Sequence, residues 1–89
     1  MTSKKSTPSK HDAILAFEYE DAQRARRIER AVRPEIGDID DDRSSASLAR
    51  AGATVELTVE AADLVALRAG LNTWCTLITV AEHASDAAA

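Results

Sequence analysis

The amino-acid sequence predicts a small α+β domain of the order β-α-β-β-α, in which a three-stranded antiparallel sheet carries both helices packed on one face. Along the chain, apolar residues recur first at every second position and next at helical spacing. Two further segments with apolar residues at every second position follow, and the last segment returns to helical spacing. A helical crossover makes the first two strands parallel and a tight turn reverses the third, so the third strand fits between the other two. With 89 residues there is room for one such domain, which we assign to residues 12–84.

The first strand and the first helix are predicted over residues 13–19 and 21–32. From residue 13 to residue 19 the side chains alternate between two faces, with Ala13, Leu15, Phe17 and Tyr19 on one, which is the period of a half-buried strand. Asp21 is a suitable N-cap. Pro34 ends the helix because it has no amide proton and restricts the residue before it. The apolar residues at helical spacing are Ala22, Ala25, Ile28 and Val32.

Residues 44–50 and 54–60 are predicted to form a hairpin around Gly52, which is free to adopt a positive φ. The long second helix, residues 61–84, carries two apolar stripes. One stripe suffices to pack a helix on a sheet, so two indicate that the helix is covered on both sides. The first stripe is Leu64, Leu67, Leu71, Trp74, Ile78 and Ala81, and the second is Ala66, Ala69, Thr73, Leu77, Val80 and Ala84.

The chain is acidic, with a net charge of −4, but its charges are unevenly placed. Residues 1–11, which hold all three lysines (Lys4, Lys5 and Lys10), are expected to be a disordered basic tail, and residues 85–89 a second disordered tail. A solvated connection over residues 35–43 is rich in aspartate. This composition would suit a high-salt cytoplasm, and residues 1–10 contain no apolar leader. We therefore expect a soluble cytoplasmic protein with no membrane partner.

The sequence contains no catalytic or metal-binding pattern. His11 and His83 have no nucleophile–base arrangement beside them. Cys75, the single cysteine, falls in the apolar second helix and is expected to be a buried, unreactive thiol. The aspartates of residues 38–42 lack the spacing of an EF-hand loop, and the three glycines are scattered singly. We expect no enzyme activity, no cofactor and no bound metal.

The first helix carries a basic face formed by Arg26, Arg27, Arg30 and Arg33. One interpretation is a solvated outer face that Glu29 and the acidic connection partly neutralise. The other is contact with RNA phosphates, which added salt would weaken steeply. No aromatic platform accompanies these arginines, so this chain alone is not expected to recognise bases.

Two strings of residues are distinctive: Leu67-Arg68-Ala69-Gly70-Leu71-Asn72-Thr73-Trp74 in the second helix, and Ala31-Val32-Arg33-Pro34-Glu35 at the end of the first. Together with the order of the elements over residues 13–84, they resemble the Pcc-type small subunit of the KEOPS complex. Gly70 departs from this resemblance, because alanine or a bulkier residue is expected there.

The resemblance implies a non-catalytic dimerisation subunit. KEOPS makes the N6-threonylcarbamoyl modification of the adenosine beside the anticodon in tRNA, and the chemistry belongs to a separate catalytic subunit. A Pcc-type subunit pairs with itself as a homodimer, docks helices on the catalytic subunit and assists tRNA binding. The expected partner interface is Leu64, Leu67, Arg68, Leu71, Asn72, Trp74 and Ile78, of which the large apolar residues could instead serve the chain's own core. The expected tRNA contacts are Arg26, Arg27, Arg30 and Arg33.

Two other classes of function stay open from the sequence. The order of elements, with a basic helix, also occurs in free-standing small RNA-binding modules, although the missing aromatic platform and the missing Gly-x-x-Gly loop count against one here. A small enzyme would need an acid–base pair that the sequence does not show.

Overall fold

The computed structural model describes residues 11–37 and 43–88, and this part of the chain has the predicted order of elements. The three strands form one antiparallel sheet in the order β1-β3-β2, which confirms the predicted fold class and the central position of the third strand. The strands are β1 (His11–Glu18), β2 (Ser44–Ala51) and β3 (Thr54–Ala61), and the helices are α1 (Ala22–Val32) and α2 (Leu64–Ala88), with a short 3-10 turn (Arg33–Glu35) after α1.

The register of the sheet brings the apolar side chains of the three strands together. Leu57 of β3 lies opposite Leu15 of β1 and Leu48 of β2, so the inward-facing side chains form a continuous apolar layer. Because side chains alternate along a strand, the residues between them point to the other side of the sheet. Gly52 has a φ of 61° in the turn between β2 and β3, the left-handed conformation that glycine adopts without strain.

Both helices pack on the inward side of the sheet, and the core lies between them and β3. Half-buried residues of β1, among them Phe17, close one side of this core. The inward-facing residues predicted for β3 are confirmed, and so are those of α1 except for the half-buried Ala22. The buried core residues are Ile28 and Val32 of α1, Leu57 and Val59 of β3, and Trp74, Ile78 and Ala81 of α2.

Asp21 and Pro34 set the two ends of α1. The Asp21 carboxylate accepts a hydrogen bond from the amide of Arg24 at 2.8 Å, which is the expected N-cap contact. Pro34 lacks the amide proton that another α-helical turn would use, so the chain changes to a 3-10 turn after Val32. The predicted end of the helix is confirmed.

The domain extends beyond the predicted boundaries at both ends. His11, assigned to the N-terminal tail, is the first residue of β1 and pairs with Ala61. Residues 85–88, assigned to a C-terminal tail, continue α2, because the Ser85 hydroxyl accepts a hydrogen bond from Arg27 of α1 at 3.1 Å and holds the last turns in place. The expectations for the rest of the N-terminal tail and for the aspartate run lie outside the described residues, at residues 1–10 and 38–42.

Gly70 lies where α2 comes close to the sheet. A Cβ atom at this position would be 3.1 Å from Cγ1 of Val59, closer than carbon atoms normally pack. Val59 is 1% exposed, and its β-branched side chain has little rotational freedom. Glycine therefore lets α2 pack directly on β3, which explains why it stands where the family resemblance leads us to expect a larger residue.

We expect Gly70→Ala to lower the free energy of unfolding by on the order of 1 kcal/mol, although alanine is the better helix former. The gain in helix propensity is about 1 kcal/mol, whereas forcing an extra carbon into a packed core typically costs about 1–3 kcal/mol. Chemical denaturation measures the net effect. In a Val59→Ala background the clash is absent, so there the same change should stabilise the chain. Stabilisation by Gly70→Ala alone would show that Val59 moves aside.

Candidate functional site

Helix α2 turns its first apolar stripe to the sheet and most of its second stripe to solvent. Trp74 and Ile78 of the first stripe are 2% and 1% exposed, whereas Leu64 at its start is 59% exposed. Which stripe meets the sheet was open from the sequence, and the structure answers that it is the first. In the second stripe Ala66 is buried, Leu77 is half-buried, and the exposed residues are Ala69, Thr73, Val80 and Ala84.

The solvent side of α2 is uncharged along its middle. Between Arg68 and Glu82 no residue of the helix carries a charge, a stretch of about three and a half turns. Val65 and Val80 are 71% and 59% exposed. A helix face that is uncharged and carries exposed valines is typical of a surface that a protein partner covers. We call this surface the outer face of α2, and its residues are Val65, Ala69, Asn72, Thr73, Thr76, Thr79 and Val80.

Two threonines of the outer face satisfy their own hydroxyl donors. Thr76 Oγ1 donates to the carbonyl oxygen of Asn72 at 2.8 Å, and Thr79 Oγ1 donates to that of Cys75 at 2.9 Å. Such bonds to the preceding turn are a common use of threonine within helices. A partner can therefore cover these threonines without leaving a buried donor unpaired, which would otherwise cost about 1–3 kcal/mol each.

Two shallow hollows flank the outer face. One, of about 410 Å³, is lined by Asn72, Thr73, Thr76 and Leu77, and the other, of about 370 Å³, is lined by Asn72, Cys75, Thr76, Thr79 and Val80. Both are open to solvent and have no convergent charged groups. Grooves of this shape suit the side chains of a neighbouring helix better than a small ligand.

Helix α2 is long and apolar enough to cross a membrane by length and composition alone. Within Leu64–Asp86, the most apolar window of 18 residues has a mean hydropathy of 1.4, and 22% of that window is buried in this chain. Core helices of soluble proteins pass the same test, and Trp74 on one side of α2 is part of such a core. Most residues of the window are nevertheless not buried by the described elements.

The residues predicted as a partner interface fall into two groups in the structure, one in the core and one that is exposed or half-buried. Trp74 and Ile78 move from the predicted interface into the chain's own core, because the sheet already covers both side chains. The sequence did not predict three further residues of the outer face. Thr76 and Thr79 have hydroxyl side chains, which count as polar in a search for apolar periodicity, and Val65 lies on neither predicted stripe. Of the others, Leu64, Arg68 and Asn72 are exposed, and Leu67 and Leu71 are half-buried against the core.

Of the four arginines predicted as the basic face of α1, two have no hydrogen-bond or ion-pair partner among the described residues. Arg26 and Arg30 are exposed and form no ion pair with the described residues. Arg27 donates to the Ser85 hydroxyl, and Arg33 pairs with Glu29. Because Arg26 and Arg30 are four residues apart, their guanidinium groups lie on the same side of the helix and are available to an anion.

Glu29 links α1 to β2 by accepting hydrogen bonds from two arginines. Arg33 Nη2 is one donor, and Arg50 Nε of β2 is the other at 2.9 Å. The Glu29 side chain is 17% exposed, so solvent only partly screens the contact. The hydrogen bond from Arg33, followed by that from Arg50, holds the pKa of Glu29 below its usual range.

A second set of contacts joins the last turns of α2 to the start of α1. The Tyr19 hydroxyl donates to Glu82 Oε2 at 2.7 Å, and Arg24 pairs with Asp86. Burial, and then the hydrogen bond to Glu82, raises the pKa of Tyr19. The Arg24 guanidinium also lies 5.6 Å from the centre of the Tyr19 ring. These contacts are structural, because they are satisfied within the chain.

Cys75 is exposed on α2, which corrects the prediction of a buried thiol. The helix turns Cys75 to the side opposite the core, where the sequence pattern alone shows only an apolar neighbourhood. His11 lies in β1 and His83 is exposed on α2. Among residues 11–37 and 43–88, no group of three or more His, Cys, Asp or Glu side chains is placed to hold a metal ion.

Residues 12–85 match the family model described as transcription factor Pcc1. The chain belongs to the Pcc1 family. The resemblance based on the two residue strings is thereby confirmed, and the chain is a Pcc1-type subunit of the KEOPS tRNA-modification complex. No protein with a curated description matches it.

The fold of this Pcc1-family chain also occurs in a crystal structure of the binary complex Gon7–Pcc1. The two chains align with a TM-score of 0.81 and 15% sequence identity, over 92% of this chain and 100% of the other. At that identity the likeness concerns the fold. It shows that the sheet with two helices on one face is shared with a chain crystallised in a two-protein complex.

We expect Glu29→Gln to make the free energy of unfolding fall less steeply as the pH is lowered. Because the pKa of Glu29 is lowered in the folded chain, its contribution is complete above the unfolded value, about 4.3, and is lost as the pH falls through the lower folded value. Urea denaturation at several pH values between about 6 and 3 measures this slope. Glu56→Gln is the control, since Glu56 is exposed and has no ion pair with the described residues. Equal slopes in wild type and Glu29→Gln would contradict the assignment.

Proposed function

We propose that this Pcc1-type chain is a non-catalytic subunit that pairs with itself, docks on the KEOPS catalytic subunit and assists tRNA binding for threonylcarbamoyladenosine modification. The observation that carries the proposal is the uncharged outer face of α2, which the chain's own described elements leave open.

Self-pairing fits the outer face because a two-fold interface brings a surface against its own copy. Like charges would meet across such an interface, and between Arg68 and Glu82 this surface has none. The small residues Ala69 and Thr73 allow two helices to approach closely. In an antiparallel pair of α2 helices centred near Thr76, which is close to the middle of Leu64–Ala88, each Cys75 faces the corresponding part of the partner helix.

The start of α2 supports docking of a second protein, the catalytic subunit. Leu64 and Val65 are 59% and 71% exposed and lie together at this end, with Arg68 one turn later as a charged rim. Apolar side chains bordered by a polar rim are the usual composition of a protein interface. The Gon7–Pcc1 complex supports the general point that a chain of this fold is found with a different protein beside it.

We expect Thr76→Arg to convert a dimer to a monomer. The change places a charge at the centre of the outer face, and an unpaired charge in a covered interface costs on the order of 3–5 kcal/mol, so self-association should weaken by more than about 100-fold. Light scattering on a sizing column measures the mass. A bismaleimide that bridges Cys75, the single cysteine, should link two wild-type chains and fail with the variant.

The matched control for Thr76→Arg is Gln23→Arg, which adds the same charge at an exposed position of α1 and should leave the dimer intact. A wild-type chain that is monomeric, or a Thr76→Arg chain that stays dimeric, would contradict self-pairing through α2. Loss of the dimer in both variants would point to an effect of net charge instead of the outer face.

We expect Arg26→Gln combined with Arg30→Gln to weaken tRNA binding and reduce its dependence on salt. Each phosphate contact that is lost should lower the slope of log affinity against log salt by about 1. The control is Ser47→Glu with Ala49→Glu, which lowers the net charge by the same two units on the other side of the sheet. An unchanged slope in the arginine variant would show a merely solvated face. Tight RNA binding by a monomer would favour the free-standing RNA-binding module.

A further inference from the structure

The outer face of α2 contains a row of four exposed residues whose spacing is the same read from either end. Ala69, Asn72, Thr76 and Thr79 follow one another at steps of three, four and three residues. Such steps keep side chains on one line along a helix, and they are the spacing with which one helix packs against another. Trp74 marks the middle of the row on the opposite side of the helix, in the core. An antiparallel copy of the row would therefore meet it position for position.

Asn72 is the polar residue of this row whose side chain the described part of the chain leaves without a hydrogen bond. Its carboxamide has no partner among residues 11–37 and 43–88, although its backbone carbonyl accepts the bond from Thr76. Thr76 and Thr79 use their hydroxyl protons within the helix, and each hydroxyl oxygen can still accept a hydrogen bond. An apolar cover would leave the two N–H donors of the carboxamide unpaired, which is unfavourable. The surface that covers Asn72 must therefore offer an acceptor.

A second copy of the chain offers that acceptor when the two α2 helices run antiparallel. If the two-fold axis passes the midpoint of the row, Asn72 lies opposite the partner's Thr76, and symmetry repeats the contact on the other side of the axis. In the same register Ala69 lies opposite the partner's Thr79. Small side chains therefore meet on both sides of the axis, and the two helices can approach closely.

The charges at the limits of the outer face favour the same orientation. At about 100° per residue, Arg68 and Glu82 lie toward the same flank of the row. In the antiparallel register Arg68 and the partner's Glu82 are about 3 Å apart along the helix axis, whereas a parallel pair would keep them about 21 Å apart. Arg68 is exposed and forms no ion pair with the described residues. Glu82 accepts a hydrogen bond from Tyr19 through Oε2, which leaves Oε1 for a second bond.

We propose that a second copy of this chain lies antiparallel along α2, with each Asn72 carboxamide donating to the hydroxyl oxygen of the partner's Thr76. Each Arg68 then pairs with the partner's Glu82. The inference rests on the proposed self-pairing and adds the orientation, the register and the residues that recognise the copy. A helix without an acceptor opposite Asn72 would leave the carboxamide unpaired, so this residue favours the chain's own copy. Single polar residues fix the register of other helix pairs in this way. The apolar start of α2 lies beyond the row and stays available to a second protein.

Disulfide formation between chosen positions tests the orientation and the register. One full-length chain carries Ala69→Cys and another carries Thr79→Cys, each with Cys75→Ser so that it has a single cysteine. All three substituted positions are exposed, so the fold should tolerate the changes. We expect an oxidised mixture of the two chains to yield several times more disulfide-linked dimer than either chain alone. Two copies of residue 69 would be about 15 Å apart along the axis, which is beyond the reach of a disulfide.

A double-mutant cycle of self-association, measured by light scattering over a range of concentrations, tests the hydrogen bond. We expect Asn72→Ala to weaken the dimer by roughly 10-fold, since two symmetric hydrogen bonds are lost. Thr73→Ala is the control, because Thr73 is exposed beside the row, and it should change the affinity by less than about 3-fold. Asn72→Ala and Thr76→Ala remove the same bonds, so the loss in the double variant should be smaller than the two single effects combined.

The possible results separate this register from the self-pairing on which it rests. A wild-type chain that is monomeric by light scattering would overturn both. A dimer in which Ala69→Cys chains link to each other, or in which the mixture forms no disulfide, would leave self-pairing in place and overturn the antiparallel register. If the effects of Asn72→Ala and Thr76→Ala simply add, the two side chains do not meet and the assigned hydrogen bond is wrong.

Discussion

The three-stranded sheet covers only one side of the 25-residue helix α2, and the rest of this structure depends on that limit. Trp74 and Ile78 fill the space between α2 and the central strand, where they meet Leu57. Burying a large apolar side chain contributes roughly 1.5–3 kcal/mol, so the largest residues of α2 decide which side turns inward. The other side is uncharged and partly apolar, and in a chain this small the described elements have nothing left with which to cover it.

The uncovered side of α2 differs from an ordinary solvent face in how its polar groups are used. Lysines and glutamates usually fill such a face, but here the charges stand at its limits, at Arg68 and Glu82. The hydroxyls of Thr76 and Thr79 are bonded to the helix itself. Covering these residues therefore requires little new hydrogen bonding, which lowers the cost of forming an interface. One helix thus completes a core and remains suited to a partner.

The periodicity of the sequence was enough to predict the fold, because each strand and helix buries one regular face. The candidate site was harder. A stripe that contains Trp74 shows that a face is covered, but it does not show whether the chain or a partner covers it. The last turns of α2 depend on Arg27, 58 residues away from Ser85 in the sequence, and a local pattern does not contain such a contact. The same holds for the pairing of Glu29 with Arg50. This pairing draws the negative charge of Glu29 towards β2, so Glu29 neutralises less of the basic face of α1.

Net charge does not show which surface of this chain attracts an anion, because its charges are separated by the thickness of the domain. The smallest dimension of the molecule is 18 Å, more than twice the Debye length of about 8 Å at physiological salt. The carboxylates of β1 and β3 on the side of the sheet opposite the helices therefore have little effect on the potential at Arg26 and Arg30, on the helix side. If α2 pairs with its copy, the α1 helix of each chain lies beside the interface, since α1 and α2 share one face of the sheet. Under the proposed pairing, Arg26 and Arg30 of both chains lie on the same side of the dimer, so positive charge is concentrated there although each chain is acidic.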